Sequence, residues 1–295
     1  MIDVQAASGS FGVARVLGLE SGKIDEASGA LRGALAAHAV LCIPLDRRLD
    51  EPELESLAGL VGPIKDPVAP TKQGEELRYS PTRQVIDSGF VITDEVREKL
   101  GALTFGGLDD QRPGLFETYH CDDTYTENPA WATILHARRL PPSGGGPTCF
   151  IDMRAAYAKL DPATQRELES LRVRYAYNNE DAFPPRRAAR GPAEALIEVC
   201  HPLIRTHPIA QTRSLFLDLD RATQIEGMPI AEGRKLLREL QEHAETKASA
   251  CQHTWADHDV LIWDNASVQH KAGGDFPVGE PRRFWRYMIA GDRPA

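Results

Sequence analysis

No stretch of the chain approaches the roughly 18 consecutive apolar residues of a membrane-spanning helix. The opening MIDVQAASGS has no basic region followed by an apolar core, so a soluble, cytoplasmic protein is expected. Basic charge is in short supply. The 34 Lys and Arg against 43 Asp and Glu leave a formal charge of −9, which argues against a general attraction to nucleic acid or to anionic membranes. An anionic ligand must then be drawn by arginines acting locally. The five cysteines (Cys42, Cys121, Cys149, Cys200 and Cys251) are odd in number, scattered and without a CxxC pair, so no disulfide framework is expected. Internal repeats and low-complexity tracts are also lacking.

What is there is enough for a full core: 295 residues with 42% hydrophobic content. All-β folds of this size commonly form one domain, and one domain over 1–295 is the expectation. The helical spacing of Ile24, Ala27, Leu31 and Leu35 predicts a helix over 21–38, followed by a short strand at 39–44. Leu54, Leu57 and Leu60 predict the buried side of a second helix over 50–62. From 63 to 114 prolines, glycines and charges without a sustained period predict long connections with short helical pieces, and loops that long usually carry function.

After Leu115 the texture changes to short β-rich runs, namely FETYH, WATILHAR, TCFI, LRVRYAY, LIEVCHPLIRTH, SLFLDL, DVLIWD and RRFWRYMIA. Many short strands in one domain indicate a sandwich or barrel. Helical patterns interrupt them twice, over 152–171 in two pieces and over 230–246. The polar, arginine- and proline-rich segment 178–195 reads as a surface excursion or lid and, with 63–117, as a candidate substrate loop.

Two histidines and a carboxylate on one face of an iron leave the opposite face for a chelating cosubstrate and dioxygen. His120 and Asp122 are two apart, so on an extended strand both project to the same side. The other His-x-Glu pair, His243 and Glu245, lies in a helical pattern where residues two apart point about 200° apart, and is dismissed. His270, closing the strand pair DVLIWDNASVQH, is the natural third ligand, and from spacing alone equally a hydrogen-bonded histidine at a strand end. Cys251, His253 and His258 in CQHTWADHD lack an evident fourth ligand and read as ordinary residues.

Downstream, RRFWRYM predicts a strand with Arg283, Trp285 and Tyr287 on one face and Arg282, Phe284 and Arg286 on the other. One face must look inward, and an inward guanidinium needs an anionic partner because an unpaired buried charge is very costly. A dicarboxylic acid in a bidentate fork would supply it, as would a structural salt bridge.

Several blocks in order, YHCDDTYTENPAWATILHARRLPPSGGGPTCFIDMRAAY, HPLIRTHP, DVLIWDNASVQH and RRFWRYMIAGDRP, resemble the taurine dioxygenase and 2,4-dichlorophenoxyacetate dioxygenase family of Fe(II)/2-oxoglutarate-dependent oxygenases. The resemblance covers most of the chain. It implies a mainly β fold with flanking helices, the double-stranded β-helix (a jelly roll, cupin-like). It implies Fe(II) held by His120, Asp122 and His270 as the catalytic centre, and 2-oxoglutarate as cosubstrate with its far carboxylate on Arg283 and Thr148. Dioxygen would be consumed, succinate and carbon dioxide released, and an unactivated carbon of a small molecule hydroxylated or otherwise oxidised. An aspartate ligand, rather than a small residue, argues against halogenation.

Departures from the pattern bear on substrate. In taurine-oxidising members a second arginine, four residues beyond the cosubstrate arginine, grips the sulfonate; counted from Arg283, that position is Tyr287. An asparagine four residues ahead of the first histidine is replaced by Phe116. Phe116 and Tyr287 are thus substrate candidates, and a larger or less anionic substrate than taurine is expected. Asp123, where the family has an apolar or small residue, is expected first to point outward. His201, Arg205 and His207 read as structural, and Asp264 and Asn265 as turn residues. Zinc accepts the same three ligands, so the residues alone also leave open a cupin-like metalloenzyme of another reaction class, or a non-catalytic barrel binding a small acid. No nucleic-acid or membrane partner is expected, and exposed sheet edges leave room for a homo-oligomer.

Overall fold

The computed structural model of the chain describes residues 2–9, 11–19, 29–66, 84–87, 118–177, 197–273, 280 and 282–295, without the side chains of 84–87. In chain order the first half comprises β1 (Asp3–Gln5), β2 (Ala14–Leu17), α1 (Ala30–His38), β3 (Val40–Ile43), α2 (Glu51–Val61), β4 (Gln84–Asp87), β5 (Ala132–Arg139) and β6 (Thr148–Asp152). Next come α3 (Met153–Ala158), α4 (Pro162–Glu169), β7 (Arg172–Ala176), β8 (Glu198–Pro202), β9 (Ile204–Thr206), β10 (Arg213–Leu215) and β11 (Ala222–Ile225). The chain closes with α5 (Ile230–Lys247), β12 (Ala250–His253), β13 (Val260–Asp264), β14 (Val268–Ala272) and β15 (Arg283–Ile289).

One seven-stranded sheet runs in the order β1-β2-β3-β13-β5-β15-β4. Smaller sheets, β12-β6-β14, β11-β7-β8 and β10-β9, supply the rest. The central strands β3 and β13 are apolar on both faces because each face is covered. Val260 and Ile262 of β13, Ile134 of β5 and Tyr287 and Ile289 of β15 pack with Leu31, Leu35, Leu54 and Leu57 of α1 and α2. The alternate residues Leu261 and Trp263, Leu135 and Ala137, and Phe284 meet Phe150 of β6 and Trp255 in a second layer. That inner layer faces β12-β6-β14, and α3, α4 and α5 cover the far side of the small sheets through Ile151, Val173, Leu237 and Leu240.

The helix predicted over 50–62 forms as α2, for a local reason. Asp50 accepts from the Glu53 amide while the Glu53 side chain accepts from the Asp50 amide, a capping box with proline in the first turn. Of the helix predicted over 21–38, α1 starts at Ala30 and 20–28 fall outside the described residues. The stretch read as connections contains β4, which pairs with β15; the remainder of 67–117 and the segment 178–196 lie outside the described residues. FETYH is not a strand where it is described: His120 makes only an isolated bridge.

Candidate metal centre

That bridge joins His120 to His270 on β14, with reciprocal amide-to-carbonyl hydrogen bonds of 3.0 and 2.9 Å. It brings the two imidazoles together at 4.4 Å between ring centroids. Asp122 follows two residues later, and His270 Nε2 stands 3.8 Å from its Oδ2. One ligand atom from each of His120, Asp122 and His270 lies within 4.8 Å of the others. The sequence-predicted trio is therefore assembled, although by a backbone bridge and a turn rather than by a strand.

The protonation states suit a metal. Burial opposes charge on Asp122, but His270, Arg286, His120 and a hydrogen bond from Thr133 outweigh it and hold the carboxyl at about 2. Burial and the neighbouring His120 lower His270 to about 3, leaving a neutral imidazole. An ionised carboxylate and neutral imidazoles are the forms that ligate. His270 Nδ1 is buried without a hydrogen-bond partner among the described residues. His120 Nδ1 donates to Thr118 O at 3.0 Å, which leaves the lone pair on Nε2. Two imidazoles and a carboxylate fit Fe(II).

Asp122 and His120 are held from behind. Thr133 on β5 donates to Asp122 Oδ2 at 2.6 Å and accepts from Asn265 Nδ2 at 2.9 Å. The Thr118 hydroxyl, next to the carbonyl that holds His120, donates to Asp220 at 2.9 Å. Sequence reasoning gave Asn265 only a turn role and missed Thr133, Thr118 and Asp220, whose partners are remote in the chain. Asp264 does set the turn, accepting from the amide of Ala266.

The arginines of β15 and its entry are divided between two faces. Arg283 is exposed and lies on the outer face of β15, away from the ligands. Arg282 is 3% exposed, donates through Nε to Gly146 O at 3.0 Å and lies over Phe284 at 4.5 Å. Phe284 meets Trp255 at 4.5 Å between centroids, and Trp255 Nε1 donates to Thr148 Oγ1 at 3.1 Å. Arg282 and Thr148 thus share the inner face. Arg286, also inner, reaches Asp122 Oδ1 through Nη1 at 3.3 Å. The physical reason is that Tyr287 and Ile289, on the same face as Arg283, pack into the layer formed with the helices, which turns that face away from the inner layer.

Tyr287 belongs to that helix-covered outer layer, fully buried, and does not face the ligands. Phe116 lies outside the described residues. Asp123 does not point outward. It is buried with φ 60, pairs with Lys65 at 2.9 Å and accepts from Tyr125 Oη at 2.9 Å. His201 donates to Thr126 O at 2.9 Å, and His207 meets Asp264 at 3.0 Å. His243 bonds Ala156 O from α5, apart from Glu245, which meets Gln241.

A second group, Cys42, His253 and Asp259, also lies within 4.8 Å. Here His253 Nε2 meets Asp259 Oδ2 at 3.0 Å, the same oxygen that accepts from the Ala256 amide at 2.9 Å. Burial, then Asp259, push the Cys42 thiol up to about 12. These residues cap a turn and satisfy one another. Cys251 and His258 are not members.

A family profile described as "Taurine catabolism dioxygenase TauD, TfdA family" matches residues 4–288. The chain is 38% identical over 177 residues to the alpha-ketoglutarate-dependent 2,4-dichlorophenoxyacetate dioxygenase of Cupriavidus pinatubonensis, a match spanning 60% of this chain and 61% of that protein. It is 30% identical over 304 residues to the alpha-ketoglutarate-dependent sulfate ester dioxygenase of Pseudomonas putida, across 99% of this chain and 91% of that one. The crystal structure of AAD-2 in complex with Mn(II) and N-oxalylglycine superposes with a TM-score of 0.72 at 26% identity, covering 100% of this chain and 99% of that chain. The jelly-roll fold and the profile agree, and the chain belongs to the TauD/TfdA family.

Proposed function

We propose that the chain is an Fe(II)- and 2-oxoglutarate-dependent dioxygenase that oxidises an unactivated carbon of a small anionic molecule. The observation that carries this reading is the convergence on one inner face of His120, Asp122 and His270 with Arg282 and Arg286. When bound, iron supplies dioxygen activation coupled to decarboxylation of 2-oxoglutarate to succinate and carbon dioxide.

His120, Asp122 and His270 would hold the metal, with Asp122 ionised and His270 neutral near neutral pH and His120 presenting Nε2 while Nδ1 bonds Thr118 O. Arg282, anchored by Gly146, and Thr148 would receive the far carboxylate of 2-oxoglutarate. The Trp255 indole N–H can only donate, so Thr148 Oγ1 accepts from it and the Thr148 proton remains available to an anion. The inner layer of Phe150, Trp255, Trp263 and Phe284 excludes water around these groups.

Arg286 lies four residues beyond Arg282, where the resemblance puts a substrate-gripping arginine. Once the cosubstrate arginine is Arg282, the apparent loss of that residue disappears, and with it the argument against a sulfonate that rested on Tyr287. The two curated relatives act, by name, on a carboxylate and on a sulfate ester, which supports an anionic substrate here. A carboxylate, sulfonate and sulfate-ester panel is expected to give Fe(II)-dependent succinate release above the substrate-free rate, whereas the uncharged amide analogues do not. Equal rates with the amides would remove the anionic requirement, and succinate release without Fe(II) would overturn the reaction class.

A further inference from the structure

We propose that Thr133 and Asn265 are positioning residues that set the metal affinity of this site, by dictating the direction of the hydrogen bond on Asp122 Oδ2. The inference rests on the metal-binding reading above and adds a control that the three ligands alone do not contain.

The direction is fixed from the far end of a chain of donors. An indole N–H donates and never accepts, so Trp263 Nε1, 3.0 Å from Asn265 Oδ1, settles which end of the Asn265 amide faces it. The Nδ2 end then faces Thr133 Oγ1 at 2.9 Å and must donate. Among the described residues the Thr133 proton has one acceptor left, Asp122 Oδ2, and the 2.6 Å separation is that of a hydroxyl on a carboxylate. The Asp122 amide also approaches Asn265 Oδ1, at 3.5 Å, so one side chain addresses both the backbone and, through Thr133, the carboxylate of the ligand. Thr133, Trp263 and Asn265 are at most 1% exposed, so these groups satisfy one another rather than bulk water.

The consequence follows from what competes for Asp122. Arg286 Nη1 draws on Oδ1 from 3.3 Å, while Thr133 holds Oδ2 on the opposite branch. With Thr133 in place the carboxylate is kept beside His270 Nε2. Arg286 already pairs with Oδ1; without Thr133, Oδ2 is also free to turn toward the guanidinium, and the metal must compete with a tighter ion pair to bind.

The test is Mn(II) affinity of the full-length protein, read from the electron paramagnetic resonance of free Mn(II), with thermal unfolding of the metal-free protein measured in parallel. Thr133→Val, close in shape but without the hydroxyl, is expected to raise the Mn(II) dissociation constant about 10–100-fold, the range for losing a partner of a metal ligand. Thr133→Ser restores the hydroxyl and is expected to return affinity close to wild type. Asn265→Ala, which leaves the Thr133 proton undirected, is expected to weaken binding less, and to add little in the Thr133→Val background because both break the same chain.

Unchanged Mn(II) affinity in Thr133→Val, with only a lowered melting temperature, would reduce Thr133 to a packing residue and overturn the proposal. So would additive losses in the double variant. If Thr133→Val does not fold, Asn265→Ala decides alone: weakened Mn(II) binding supports the relay and unchanged binding overturns it. Failure of the metal reading itself looks different, since Asp122→Ala would then bind Mn(II) as tightly as wild type.

Discussion

Arg282 and Arg283 are neighbours in the chain, yet one guanidinium is buried over Phe284 and the other is exposed. Replacing Arg282 by methionine is expected to raise the 2-oxoglutarate requirement at least about 30-fold, since removing one partner of a buried charge-assisted pair costs about 2–5 kcal/mol. Arg283→Met is expected to leave that requirement unchanged. Initial rates of succinate formation against 2-oxoglutarate concentration check both, and the reverse ranking would return the role to Arg283. The sequence shows that one arginine must face inward but not which. Both faces of RRFWRYM carry arginine and aromatic residues, so composition cannot choose between them. What chooses is the packing of α1 and α2 against Tyr287 and Ile289, remote from β15 in sequence. Thr133 and Asn265 are hidden for the same reason: a single hydroxyl and a single amide have no period, and their meaning comes from partners across the sheet.

Among the elements, α2 is legible because its signals are local, namely Asp50, Pro52 and Glu53 at its start and leucines at helical spacing. Asp50→Ala, which removes the capping box, is expected to lower stability by about 1 kcal/mol and the melting temperature by a few degrees, without changing Mn(II) affinity. A melting temperature equal to wild type would mean that tertiary packing alone holds the helix. The strands of the inner layer are legible as apolar runs, whereas β4, β1 and β2 are short edge or near-edge strands with little pattern of their own. Over its described residues, 118–120, the strand predicted at FETYH does not form. His120 and Asp122 converge because the backbone of His120 is pinned to His270, after which Asp123 turns the chain at positive φ. The period-two expectation names a pair that the structure does bring together, through a geometry the chain does not use.

For the whole molecule, the order of blocks along the sequence was enough to place the fold. Charge and burial set its response to pH. His136 and His201 are buried and neutral, their pKa values lowered from 6.5 to about 4 chiefly by burial. His136 accepts from the Leu49 amide, a bond that protonation would remove. Between pH 6.5 and about 4 the unfolded chain binds protons at these sites and the folded one does not, so stability is full above 6.5 and falls as the pH drops through this window. The melting temperature of the metal-free protein is expected to decline from pH 6.5 to 4, and less steeply in a His136→Gln, His201→Gln double variant. An identical slope in that variant would assign the acid sensitivity to carboxylates instead. No helix among the described residues is long and apolar enough to cross a membrane.

The central claim is that one inner face of the jelly roll holds both the metal and its keto-acid partner. An anaerobic crystal structure with Fe(II) and 2-oxoglutarate tests it most directly. Metal is expected on His120, Asp122 and His270, with the far carboxylate on Arg282 and Thr148. Metal at Cys42, His253 and Asp259, or the carboxylate on Arg283, would contradict it.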